Sequence, residues 1–135
     1  MATASANIRV PVSADKVWQL VGGFQSLPDW LPFIASSEAS EGGRVRTLTT
    51  ADGAVIVEKL QTFDEANRTY SYSIVKGPFP VTNYLATVVV AAAGDQEAAI
   101  TWSGSFTPDG ISDAEAEALF LEVYQGGLDA LKANF

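Results

Sequence analysis

Residues 45–60, VRTLTTADGAVIVEKL, read as a β-hairpin around a turn at Ala51-Asp52-Gly53. Directly opposed residues of an antiparallel pair share a face, so Thr50 opposes Ala54, Leu48 opposes Ile56, and Arg46 opposes Glu58. One face then carries Arg46, Leu48, Ile56, Glu58 and Leu60. The other carries Val45, Thr47, Thr49, Val55, Val57, Lys59 and Gln61, which is richer in Thr and ends in two long polar side chains. The Leu/Ile face is therefore read as inward, and it sets one Arg and one Glu side by side among apolar neighbours.

Working outward from the hairpin, the period-two pattern continues from Phe33 to Thr107. Turn residues recur at Glu41-Gly42-Gly43, Asp64 to Arg68, Gly77-Pro78 and Gly94-Asp95, so six antiparallel strands are expected. Beyond the Asp64 to Arg68 turn, Leu60 and Thr62 should neighbour Tyr70, Tyr72 and Ile74. Across Gly94-Asp95, Tyr84, Ala86 and Val88 should face Ile100, Trp102, Gly104 and Phe106. Upstream, Ser5 to Val12 alternates as a further strand, and Ser13 caps a helix bearing Val17, Leu20, Val21 and Phe24. Gly22-Gly23 ends that helix before a short second one, Ser26 to Trp30, with Pro28 in its first turn. Downstream, Ser112-Asp113-Ala114-Glu115 is a capping box that opens a long helix through Phe120, Tyr124, Leu128, Leu131 and Phe135. The class is α+β: a seven-stranded antiparallel sheet, two short helices after the first strand, and a long C-terminal helix to cover the apolar face.

The chain has 135 residues, 47% of them apolar and 18% charged, the profile of one compact domain spanning 1–135. It has no cysteine and no histidine. Disulfides, thiol nucleophiles, histidine-based triads and the usual zinc sites are excluded, and no cofactor or metal is expected. Eight Lys and Arg stand against sixteen Asp and Glu, a net charge of −8, which disfavours nucleic acid and anionic membranes as partners. From Gly77 onward eight acids face Lys132 alone. No stretch approaches the ~20 apolar residues of a membrane span, and a cytoplasmic monomer or homodimer is the default expectation.

Motifs from every element carry a resemblance: Val17-Trp18, Leu27-Pro28-Asp29-Trp30-Leu31-Pro32, Val45-Arg46-Thr47-Leu48, Glu58-Lys59-Leu60, Tyr70-Ser71-Tyr72, Gly77-Pro78-Phe79-Pro80-Val81, Thr101-Trp102-Ser103-Gly104 and Gly127-Leu128-Asp129-Ala130-Leu131. The string resembles the polyketide cyclase/dehydratase branch of the SRPBCC superfamily, which includes the birch pollen allergen and the START lipid-transfer domains. The resemblance implies a helix-grip fold, with the curved sheet wrapped around the C-terminal helix and a cavity between them. Function varies across that superfamily, so the residues must carry the argument.

The catalytic candidates are Glu58, Arg46 and Tyr72. Glu58 would be a general base, Arg46 an anion clamp or electrophile, and Tyr72 a hydrogen-bond donor to a carbonyl. The plainer account of Arg46 and Glu58 is a cross-strand ion pair. Trp30, Leu48, Leu60, Phe79, Tyr84, Trp102, Phe106 and Tyr124 are candidate ligand contacts, against the alternative of ordinary core packing. Gly126-Gly127 interrupts the last helix at a cost of roughly 1 kcal/mol per Gly, for which close packing is the favoured compensation. Three functions follow: a cofactor-independent cyclase or dehydratase acting on a small hydrophobic carbonyl compound, a carrier of such a ligand, or an interaction module like the chaperone activators of the superfamily.

Overall fold

The computed structural model describes residues 2–135. Its order is β1 (Ala2–Val10), α1 (Ala14–Val21), α2 (Leu27–Trp30), β2 (Ile34–Ser40), β3 (Val45–Thr50), β4 (Val55–Asp64), β5 (Thr69–Lys76), β6 (Val81–Gly94), β7 (Glu97–Pro108) and α3 (Asp113–Lys132), with a 3₁₀ turn at Glu41–Gly43. The seven strands form one antiparallel sheet in the order β1-β7-β6-β5-β4-β3-β2. The sheet wraps α3, whose Phe120, Tyr124, Leu128 and Leu131 are buried against it.

The hairpin of residues 45–60 has the expected register, with Arg46 opposite Glu58 and Leu48 opposite Ile56. All four are buried, whereas Leu60 is half-buried. Val45, assigned outward, is buried too. One expectation fails at a bulge between Leu60 and Thr62. The extra residue there shifts the pairing, so Thr62 lies opposite Ser71 and turns to solvent, and Phe63 takes the place opposite Tyr70. Phe63 then packs its ring 5.5 Å from that of Trp18.

The first strand runs from Ala2 to Val10, earlier than the expected Ser5 to Val12. Alanine is a poor strand former, so Ala2 and Ala4 give little local signal. They are strand residues because they pair with Phe106 and Gly104 of β7, and both are buried there. The Thr3 amide donates to Glu117 on α3, tying this edge strand to the helix. The helix caps follow the sequence: Ser13 accepts from the Lys16 amide, and Ser112 with Glu115 forms a reciprocal capping box. α3 ends at Lys132, so Phe135 falls beyond the helix and is partly exposed.

Candidate functional site

Antiparallel pairing of β3 and β4 brings Arg46 and Glu58 together, and the concavity of the sheet buries them, at 1% and 6% exposure. Arg46 Nε donates to Glu58 Oε1 at 2.8 Å, and Nη2 lies 2.7 Å from the same oxygen as the close contact of the ion pair. Nη1 donates to the Phe24 carbonyl at 2.7 Å. The guanidinium carbon lies 4.0 Å from the Phe24 ring centroid and 4.9 Å from that of Tyr72. Every nitrogen of the guanidinium thus has a polar partner, and the group lies against aromatic rings. Glu58 is committed only at Oε1; its Oε2 receives no hydrogen bond among the described residues.

Burial pushes the Glu58 carboxyl up from its ordinary value, against the pull of the Arg46 charge and hydrogen bonds. For Arg46 burial works against the charged form, but Glu58, Tyr70 and Tyr72 outweigh it, so the guanidinium stays protonated. Tyr72 is raised well above the usual phenol value, by burial first and then by the Glu58 charge. It is therefore a hydrogen-bond donor throughout the ordinary pH range. Trp102 Nε1 donates to the Tyr72 oxygen at 3.0 Å. Because indole is donor-only, the Tyr72 proton must be given elsewhere.

Glu58 and Tyr72 both line an inner cavity of about 30 Å³ between the sheet and α3. This volume holds one or two waters. Leu48, Phe79, Tyr84 and Trp102 also line it, as the sequence suggests. Arg46, Trp30, Leu60, Phe106 and Tyr124 do not. Arg46 sits behind Glu58. Trp30 stands edge-on to Trp102, 6.0 Å between centroids, with its buried Nε1 unpartnered. Leu60 packs on the margin of the core where the β4 bulge begins. Phe106 is filled over by Phe120 at 4.6 Å, and Tyr124 stacks on Trp102 while its hydroxyl pairs with that of Tyr84.

Sequence reasoning missed Phe33, Phe120 and Val123 as lining residues. Phe120 and Val123 stand three apart on α3, a spacing that puts them on neighbouring positions of one helix face. Phe33 opens the period-two run just before β2 begins at Ile34, and its 40% exposure is not what alternation marks as a lining position. Outside the cavity lies a cleft of about 440 Å³ between the β3–β4 turn and the loop at Pro78. Phe33, Ile56, Phe79 and Val123 border both spaces and form the partition between them.

No curated protein matches the chain. Among solved structures, XoxI of Bacillus cereus is 48% identical with a TM-score of 0.97, covering 100% of this chain and 96% of its own. An uncharacterized protein of Bacillus thuringiensis is 47% identical with a TM-score of 0.97, covering 99% and 98%. The Zhui aromatase/cyclase from Streptomyces shares the fold at 16% identity, with a TM-score of 0.79 over 98% of this chain and 92% of its own. The family model described as polyketide cyclase/dehydrase and lipid transport matches residues 1–135, and with the helix-wrapped sheet already described it shows that the chain belongs to that family.

Proposed function

We propose that the chain binds a small hydrophobic carbonyl compound, aromatic or polyketide-like, beside Glu58 and Tyr72, and catalyses metal-free aldol-type cyclisation or dehydration. One observation carries this reading: Glu58, whose recorded hydrogen bond is at Oε1 alone, and Tyr72, whose hydroxyl accepts from Trp102, line the same cavity. Glu58 Oε2 removes a proton from the carbon next to the ligand carbonyl, and the C–H electron pair becomes the enolate. Tyr72 donates to the enolate oxygen, where the charge develops. Arg46 is a positioning residue, holding Glu58 through Oε1. The enolate carbon then attacks a second carbonyl of the ligand, whose oxygen takes the proton back from Glu58. In dehydration, that proton instead leaves with a β-hydroxyl group as water.

A second reading, a carrier without turnover, is favoured by the smallness of the cavity and by the ion pair that restrains Glu58. Pockets for small molecules are usually ~300–1,000 Å³, so binding requires the Phe33 and Phe79 partition to move. The test uses 1-phenyl-1,3-butanedione and related aromatic ketones with wild type and Glu58→Gln. Binding is read from Trp fluorescence and proton abstraction from deuterium exchange at the α-carbon by NMR. Saturable quenching in both proteins with enzyme-dependent exchange only in wild type is expected. Quenching without exchange in either leaves the carrier. Absence of saturable quenching overturns both.

A further inference from the structure

β5 and β6 are hydrogen-bonded only from Thr69↔Val89 to Ser73↔Leu85. Past that point β5 continues to Lys76 on β4, and β6 begins at Val81 on β7, so the two strands diverge. Asn83, at φ 52°, lies within the register shift that turns β6 away. The split holds a space of about 390 Å³ lined by Ile74 to Gly77, Phe79 and Val81 to Tyr84. Ile74, Phe79 and Tyr84 also line the inner cavity. Among the described residues, Phe79 alone borders all three spaces: the cavity, the outer cleft and the split. Its ring rests on Phe120 at 5.1 Å, and a Cβ at Gly77 would already touch it at 3.7 Å.

Charge distinguishes the two routes outward. Among the described residues, the only charged one lining the outer cleft is Asp52, held as a carboxylate below its ordinary pKa by the Thr50 hydroxyl and the Ala54 amide. Among the described residues, the only charged one lining the split is Lys76, beside the polar Thr82 and Asn83. An anionic end is repelled at the cleft and attracted at the split, where open strand edges also leave backbone groups to solvate it.

We propose that the split between β5 and β6 is a second opening of the cavity, closed by Phe79, through which the carboxylate end of an elongated apolar ligand reaches Lys76. The inference rests on the ligand-binding reading above and assigns the ligand class as a monocarboxylate with an apolar body. The probe is 11-(dansylamino)undecanoic acid, compared with its methyl ester, with energy transfer from Trp to dansyl as the readout. Wild type is expected to bind the acid more tightly than the ester, and the difference to shrink with salt. Lys76→Glu, at an exposed position, should weaken the acid by roughly three- to tenfold and leave the ester unchanged. Phe79→Ala should speed association of both. If both probes bind and Lys76→Glu changes neither, or both equally, this proposal falls while the ligand-binding reading stands. Tightening of the acid by Asp52→Asn, with Lys76→Glu silent, would place the carboxylate at the outer cleft and also overturn it. If neither probe binds, even to Phe79→Ala, the cavity-binding reading itself fails.

Discussion

Removing one member of the Arg46–Glu58 pair should cost far more than removing both. Arg46→Met leaves a buried carboxylate without its hydrogen bond and ion-pair partner and strips the Phe24 carbonyl of the Nη1 hydrogen bond. Breaking a buried pair costs about 3–5 kcal/mol, and an orphaned buried carbonyl about 1–3 kcal/mol. A domain of this size is stable by about 5–15 kcal/mol, so Arg46→Met takes a third or more of the total. Glu58→Gln is milder, because the amide oxygen still accepts from the guanidinium. In Arg46→Met/Glu58→Leu no buried charge remains, and the residual loss is mainly the Phe24 carbonyl and the stacking on Phe24 and Tyr72. The double variant should therefore be more stable than Arg46→Met, with a coupling energy of at least about 2 kcal/mol. Urea unfolding at pH 8, followed by the core tryptophans, reads this as a midpoint drop of about 2 M for Arg46→Met and a partial recovery in the double variant. If Arg46→Met costs under about 1 kcal/mol, or the double loses as much as the two singles added, the pair is not the coupled buried unit described here.

Two further outcomes test other parts of the molecule. Gly126→Ala meets nothing within 4 Å and should gain about 0.5–1 kcal/mol of helix propensity, whereas Gly127→Ala would drive a methyl to 2.6 Å from the Trp102 ring and 2.9 Å from Leu31, costing about 1–3 kcal/mol; thermal unfolding of the two variants should move in opposite directions. Because the folded-state pKa of Glu58 is raised by burial, the folded protein binds that proton more tightly than the unfolded chain. The stability of wild type relative to Glu58→Gln should therefore rise as pH falls through the window between the folded value and the unfolded one, about 4.3. Urea midpoints of the two proteins from about pH 8 to pH 4 check this, the subtraction cancelling Asp52 and Asp64, whose lowered values work in the opposite direction. A flat or inverted difference would mean that Arg46, not desolvation, dominates at Glu58.

The hairpin at 45–60 was legible because its turn fixes a register and period two does the rest: Arg46 and Glu58 follow from Ala51-Asp52-Gly53 alone. The β4 bulge was not, since an inserted residue leaves no compositional mark when Thr62 and Phe63 are both good strand formers. The cavity wall was half legible. Strand residues such as Leu48 and Tyr72 follow from alternation, but Phe106 and Tyr124 share the inward faces and yet serve as packing. What separates them is how closely α3 sits on each strand, a tertiary distance that no pattern along the chain encodes.

That distance is set by two glycines, and it decides where a ligand has room. A Cβ at Gly104 would collide with the Tyr124 hydroxyl, and one at Gly127 with Trp102 and Leu31. Without these side chains, α3 lies close against β7, and the rings of Trp102, Tyr124, Phe106 and Phe120 fill the sheet's concavity at that end. The remaining space lies toward β4 and the diverging ends of β5 and β6, bounded by Glu58, Tyr72, Phe33 and Phe79. Of these boundaries, Glu58 is pinned by a hydrogen bond and an ion pair to Arg46, and Tyr72 by the hydrogen bond from Trp102. Phe33 is substantially exposed and Phe79 half-buried in a loop. The polar groups are thus the fixed wall and the two phenylalanines the yielding one. On the reading proposed above, substitutions at Phe33 and Phe79 should change which ligands enter, and substitutions at Glu58 should change what happens to them.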